Sequence, residues 1–201
     1  MEYLKLSLLW VLWCFFHSFL ISPSVTIYFQ KLFKNKFRFY RVFYNLFSVL
    51  SLIFIYLYKT SFTEEILWSW DGTFLYIQII LFLLSVFLMI AGAKLFDIKL
   101  FFGIRQILIK NSSLSLNVTG KLEIKGILKY TRHPWYLATF LLIWVSFQDL
   151  ALSRVIINMI LTIYLIIGTI LEERKLVLEF GDDYTGYQKR VSMFVPFRFY
   201  R

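Results

Sequence analysis

The residues able to do chemistry concentrate in one polar break between apolar runs, Lys129-Tyr130-Thr131-Arg132-His133-Pro134-Trp135-Tyr136. His133 precedes Pro134, whose ring disfavours the helical region for the residue before it and suits the first position of a helix. A helix is therefore predicted to start at Pro134 or Trp135. That puts the imidazole at its polar end, where the first free backbone N–H groups also point. A plainer reading of the same residues is a helix start with Arg132 snorkelling to the interface. A second charged cluster, Glu172-Glu173-Arg174-Lys175, follows the apolar stretch beyond the break. A third polar feature, His17-Ser18, lies near the far end of the first apolar run, where such pairs usually face a bundle interior or a water-filled cavity. For His17 a satisfied packing histidine is the alternative.

Other chemistries lack their residues. With two histidines and one cysteine the chain has no HExxH or CxxC, so no metal is expected. Neither GxGxxG nor a P-loop is present, and no serine elbow stands ready to pair with His133. Cys14 sits in an apolar run and reads as a small buried hydrophobe.

The elements that must position these residues belong to a membrane. Of 201 residues 59% are hydrophobic, 21% aromatic and only 17% charged, whereas soluble domains are about half apolar and a quarter charged. Apolar runs cover residues 4–21, 40–58 and 74–93. Two further arms, 135–150 and 151–171, read as a tight helical hairpin whose first arm is short for a full span. Residues 31–41 read as a basic loop. Residues 94–110 suit an interfacial helix carrying Leu95, Ile98, Phe102 and Ile109 on one side, with 111–125 as a loop. Asn111 and Asn117 each begin a glycosylation pattern, which the topology contradicts. The expected fold is an all-α membrane protein of about five transmembrane helices in a single domain, 1–201. Its parts are three N-terminal helices (1–93), an interfacial helix and loop (94–134), the hairpin (135–171) and a C-terminal helix and tail (172–201).

Charge sets the orientation. Nineteen of the 22 Lys and Arg residues fall in 31–41, 94–132 and 174–201, leaving Lys5, Lys59 and Arg154 on the other side. The positive-inside rule places the three basic segments in the cytoplasm and the N-terminus outside. The net charge of +10 thus reports orientation, and a nucleic-acid partner is not expected. A helical hairpin brings its ends together, so His133 and Glu172 are predicted neighbours, with Arg105 and Gln106 folding over them. Such a pocket, on the cytoplasmic side, suits a zwitterionic water-soluble cofactor and a second, apolar reactant delivered from the lipid.

At this point the residues carry a resemblance. The stretch from Gly126 through Arg132-His133-Pro134-Trp135-Tyr136, a hairpin, then Glu172-Glu173 and Phe180-Gly181-Asp182-Asp183-Tyr184-Thr185-Gly186-Tyr187 resembles the isoprenylcysteine carboxyl methyltransferase superfamily. Upstream, His17-Ser18, Arg41 with Tyr44, and Phe102-Gly103-Ile104-Arg105-Gln106 resemble its bacterial methanethiol S-methyltransferase branch. The resemblance implies S-adenosyl-L-methionine as methyl donor, held by His133, Pro134, Trp135, Tyr136 and Glu172. Adjacent helix residues project about 100° apart, so one glutamate of the pair is expected to face His133, and the family spacing selects Glu172.

Three departures bear on the acceptor. Leu128 stands where the isoprenylcysteine enzymes often have an aromatic residue, and Ala138 replaces a common glycine. Gly168 stands where those enzymes carry a substrate-binding arginine, which favours a small thiol over a prenylated carboxylate. Methyl transfer from a sulfonium is an in-line displacement that consumes positive charge, so a dry, apolar site suits it. A thiol acceptor must first become a thiolate. Arg105 or Arg132 is expected to stabilise that anion and His17 to take the proton if the first helix lines the pocket. The competing readings are methylation of an isoprenylcysteine carboxylate or a lipid, a non-catalytic superfamily member, and a small transporter.

Overall fold

The computed structural model describes residues 1–59, 64–95, 97–108 and 122–195. Asn111, Asn117 and Ile109 lie outside the described residues. The described chain is mostly helical. Its helices are α1 (Glu2–Ile21), α2 (Pro23–Phe33), α3 (Tyr40–Lys59), α4 (Thr73–Ala93), α5 (Ile98–Phe101), α6 (Ile104–Leu108), α7 (Pro134–Val145), α8 (Leu152–Phe180) and α9 (Asp182–Arg190). A short antiparallel ribbon of β1 (Ile66–Ser69) and β2 (Asp149–Ala151) is an addition to the all-α expectation.

Among the described residues four helical segments are long and apolar enough to cross a membrane: Glu2–Ile21, Pro23–Lys59, Thr73–Ala93 and Leu152–Phe180. The fifth expected span, α7, has 12 residues. At 1.5 Å per residue it is about 18 Å long, well short of a hydrocarbon core of roughly 30 Å.

The chain, read from its sequence as one domain, divides into two compact units. The first comprises Met1–Glu65, Asp97–Leu116 and Leu152–Ile160. Here α1 packs on α3, and the Tyr40 hydroxyl donates to the Leu20 carbonyl at 2.6 Å, tying the end of one helix to the start of the other. Residues 31–41 are not a loop. Pro23 starts α2 at a position where its missing N–H costs nothing, and a 3₁₀ segment, Lys34–Phe39, leads directly into α3. The interfacial helix is broken into α5 and α6 because Gly103 adopts φ +85°. A β-carbon there would lie 3.0 Å from the Val42 backbone nitrogen, so glycine permits both the turn and the approach to α3. At the other end of α3, Lys59 pairs with Glu64, which also accepts from the Ser153 hydroxyl at the start of α8.

The second unit comprises Ile66–Phe96, Asn117–Ala151 and Leu161–Arg201. Its backbone framework is the antiparallel pair α4 and α7. Gln78 near the start of α4 donates to the Val145 and Phe147 carbonyls, both at 2.9 Å, closing one end. At the other end the Trp135 indole N–H donates to the Met89 carbonyl at 3.0 Å, and its ring lies so close to Gly92 that a β-carbon there would sit 2.5 Å away. The expected tight hairpin is looser than its sequence implies, since α7 approaches α4 more closely than α8. Towards α8 it sends large side chains instead: Trp144 donates to Thr162, and the Tyr136 ring rests over Gly168.

Candidate active site

The polar mouth of α7 is built as its sequence predicts: Pro134 is the first helical residue and His133 the N-cap, in a non-helical conformation (φ −125°, ψ 66°). Behind it the chain is pinned to the segment after α9. The backbone N–H groups of Arg132 and His133 donate to the Ser192 and Met193 carbonyls, and the Thr131 hydroxyl donates to Met193 as well. The Tyr187 hydroxyl donates to the Leu128 carbonyl at 2.6 Å. Under this junction Tyr184, Tyr187 and Val191 form a small core with Leu176, Val177 and Phe180 of α8.

The centre of the site is Glu173. Arg132 grips it with two donors, Nε to Oε1 at 2.9 Å and a terminal nitrogen to Oε2 at 2.8 Å. His133 Nε2 reaches Oε1 at 2.6 Å, the Tyr184 hydroxyl donates to Oε1 at 2.6 Å, and Gln188 donates to Oε2 at 2.7 Å. The other terminal nitrogen of Arg132 donates to the Gln188 and Val191 carbonyls, satisfying the end of α9. Both members of the ion pair are 8% exposed, so neither charge would be tolerated without the other. Burial first, then the hydrogen bond to Glu173, pushes the Tyr184 phenol up, and it remains a donor. Burial likewise raises Tyr187.

Glu172 lies on the opposite edge of the imidazole. Its Oε2 is shut off from solvent without a well-formed hydrogen bond, 3.7 Å from His133 Nδ1, and the Tyr136 hydroxyl faces the same carboxylate. The side chain as a whole is 41% exposed. The expectation that only one of the two glutamates faces His133 is thus corrected. The ring lies across the surface of α8, and two long, flexible carboxylate arms reach its two edges from adjacent positions.

The residues singled out from sequence divide into four groups. His133, Tyr136 and Glu172 come together, with Pro134 setting the helix start behind them. Trp135 projects to α4, where its single donor is engaged, and packs the helix pair instead of lining the site. Arg132 is committed to Glu173 and to α9, which makes it a clamp and not an anion-stabilising group. His17 and Arg105 belong to the first unit and are engaged there. The His17 ring stacks on Trp13 at 4.7 Å between centroids, and its nitrogens meet the Tyr44 and Ser48 hydroxyls at 2.9 and 3.1 Å. Arg105 pairs with Asp97, the N-cap of α5. The upstream motifs do converge within that unit: Tyr44 holds His17, while Arg41 and Asn45 donate to the Phe101 carbonyl. Sequence reasoning set Glu173 aside in favour of Glu172, gave Tyr184 no role beyond its place in the motif, and missed Gln188. The signal was the spacing of Tyr184, Tyr187, Gln188 and Val191, which share one face of a helical turn.

The geometry fits S-adenosyl-L-methionine. A solvent-shielded carboxylate oxygen beside an imidazole nitrogen makes an acceptor pair for a cationic donor, which the ammonium of that cofactor provides. A groove of about 510 Å³ runs along α8 on the Glu173 side, where Ile170, Arg174, Val177, Leu178, Gln188 and Met193 line it as well.

Comparison with known proteins gives the family. A family model described as NnrU protein matches residues 5–195. The chain is 35% identical to the methanethiol S-methyltransferase of Pseudomonas deceptionensis over 79 residues, 39% of this chain and 30% of that protein. It is 39% identical to methanethiol S-methyltransferase 1 of Bradyrhizobium diazoefficiens over 70 residues, 35% of this chain and 24% of that one. With the methanethiol S-methyltransferase of Crocosphaera subtropica it shares 28% identity over 157 residues, 77% of this chain and 60% of that protein. The matches thus span less than two thirds of the length of these curated relatives. No solved structure matches. With its polar mouth, glutamate pair and tyrosine lock enclosed by a match over nearly its whole length, the chain belongs to the NnrU family, whose members resemble isoprenylcysteine carboxyl methyltransferases.

Proposed function

We propose that this protein is an S-adenosyl-L-methionine-dependent membrane methyltransferase that S-methylates a small thiol such as methanethiol. The observation that carries the proposal is the acceptor pair of Glu172 Oε2 and His133 Nδ1, 3.7 Å apart at the polar mouth of α7. Glu172 would hold the ammonium of the donor, with His133 and the Tyr136 hydroxyl completing the contact. When bound, the donor supplies an electrophilic methyl group on a sulfonium. The chain's contribution is to orient that sulfonium and exclude water, since a charge-consuming displacement gains from a dry, apolar surround. The acceptor sulfur would react as its thiolate, with its proton passing to solvent, and the residues around His133 and Glu172 would hold the donor's sulfonium in line with that sulfur.

Gly168 supports a small acceptor. It lies one turn before Glu172 on the same face of α8, and the space over it is filled only by the Tyr136 ring, 3.5 Å from where a β-carbon would be. Among the described residues no cation lies within 4 Å of that point to receive a carboxylate. In this reading the basic segments put the site at the cytoplasmic face and the N-terminus outside.

The test incubates membranes containing the protein with methyl-labelled S-adenosyl-L-methionine and a panel of small thiols, prenylcysteines and phospholipids. Labelled dimethyl sulfide from methanethiol is the expected product. Label in a prenylcysteine ester or a lipid would replace the acceptor, and cofactor binding without any product would make this a non-catalytic member of its family.

A further inference from the structure

Glu173 accepts hydrogen bonds from Arg132, Tyr184 and Gln188, and every one of these partners is a donor. A carboxylate so surrounded is an acceptor only, which dictates what the fourth partner can be. His133 Nε2, 2.6 Å from Oε1, must carry the hydrogen. A neutral imidazole has one N–H, so its other nitrogen, Nδ1, then presents a lone pair. That lone pair lies on the Glu172 edge of the ring, beside an oxygen without a well-formed hydrogen bond. The Tyr136 hydroxyl serves the same carboxylate, yet Oε2 and Nδ1 remain side by side, two acceptors that repel one another unless a further donor comes between them.

We propose that Glu173 is a positioning residue that fixes His133 in its Nε2–H tautomer, and that this turns the His133–Glu172 edge into an acceptor pair selective for a cationic donor. The rest of the network keeps Glu173 in place. Arg132 supplies the counter-charge, and Tyr184 and Gln188 hold the carboxylate plane from α9, so the docking of α9 sets the hydrogen-bonding character of a residue at the start of α7. Glu172 touches the ligand; Glu173 acts only through the imidazole. The inference rests on the proposed function for the identity of the donor, not for the tautomer.

The chain has two histidines, which makes the tautomer directly readable. Protein labelled with ¹⁵N in its imidazoles is placed in lipid nanodiscs, and a His17→Gln variant assigns the two rings. At a pH where the ring is neutral, wild-type His133 is expected to show one form, protonated at Nε2. Glu172→Gln should leave that form intact while S-adenosyl-L-methionine affinity falls. Glu173→Gln should bring in the Nδ1–H form, because an amide can donate to Nε2, and lower affinity roughly 5- to 10-fold. Should Glu173→Gln not fold, Glu173→Asp keeps the counter-charge for Arg132, withdraws the carboxylate by one methylene and is expected to give the same mixture. Tyr187→Phe, which disturbs the same core without touching Glu173, should leave the tautomer unchanged. A mixed tautomer in the wild type, or an unchanged one in both Glu173 variants, overturns the inference. A fixed tautomer in a protein that fails to bind S-adenosyl-L-methionine would overturn the proposed function and leave Glu173 in its positioning role.

Discussion

Trp135 rests on Gly92, with its indole N–H donating to the Met89 carbonyl at 3.0 Å. The contact fixes the depth at which α7 sits along α4. Gly92→Ala would press a methyl group against the indole edge, 2.5 Å from its Cδ1. Overpacking of this kind costs about 1–3 kcal/mol. We expect a lower unfolding temperature in detergent for Gly92→Ala and near-wild-type behaviour for Gly168→Ala, whose β-carbon meets Tyr136 at an ordinary 3.5 Å. Thermal unfolding followed by tryptophan fluorescence checks both.

Arg132→Met should be the most damaging substitution in the site. It leaves the Glu173 carboxylate buried without its counter-charge, a loss of roughly 3–5 kcal/mol. Reduced yield and a fall in unfolding temperature well beyond that of Glu172→Gln are the expected results. Equal stability of the two variants would contradict the clamp.

Glu172→Gln keeps the shape of the side chain and removes its charge. A charge-assisted hydrogen bond of about 1.5–3 kcal/mol corresponds to a loss of S-adenosyl-L-methionine affinity of roughly 10- to 150-fold. Titration calorimetry on protein with an unchanged unfolding temperature is the measurement. Undiminished affinity would remove Glu172 from the ligand.

Acid should loosen the first unit at Glu64. Burial pushes this carboxyl up, but its hydrogen bonds from Lys59 and Ser153 outweigh that and leave it below the ordinary value of 4.5. A depressed carboxyl contributes its stability above the ordinary value and loses it as pH falls through the lowered one. The unfolding temperature should therefore drop below pH 4.5 more steeply in the wild type than in Glu64→Gln. Parallel profiles would show that the pair adds nothing.

Reporter fusions test the orientation. Fusions after Lys59 and Gln148 should be extracytoplasmic, and fusions after Lys36, Lys125 and Arg190 cytoplasmic. A cytoplasmic signal at Gln148 would undo the proposed topology.

Much of this architecture is legible in the chain because its signals are local. The Pro134 start of α7, the Ile21 end of α1 and the Gly181 end of α8 follow from proline and glycine chemistry, and the uncharged run of α4 from length alone. Two local signals misled. The basic residues of 31–41 read as a loop, although Lys, Arg and Phe are compatible with helix and only their charge argued otherwise. In 94–110 apolar spacing suggested one helix, and a single positive φ at Gly103 divides it. At the site the helix period excluded one glutamate from His133, because it describes where β-carbons point and not how far a long side chain bends. The Glu173 network was hidden for another reason: its members come from residues 132, 173, 184 and 188, and only the folded α9 brings the last two to the first two.

The length of α8 has a consequence for the membrane itself. Its apolar run, residues 155–171, covers about 25 Å, and the two glutamates follow without a spacer. Of the helices that carry the site, α7 is too short to cross a membrane and α8 is long enough, so the depth of the glutamate pair follows α8. A thicker bilayer must draw both carboxylates towards hydrocarbon, tilt the helix or thin the surrounding lipid, each at a cost of fractions of a kcal/mol per ångström. Acyl-chain length thereby bears on the two adjacent acids that end this apolar run.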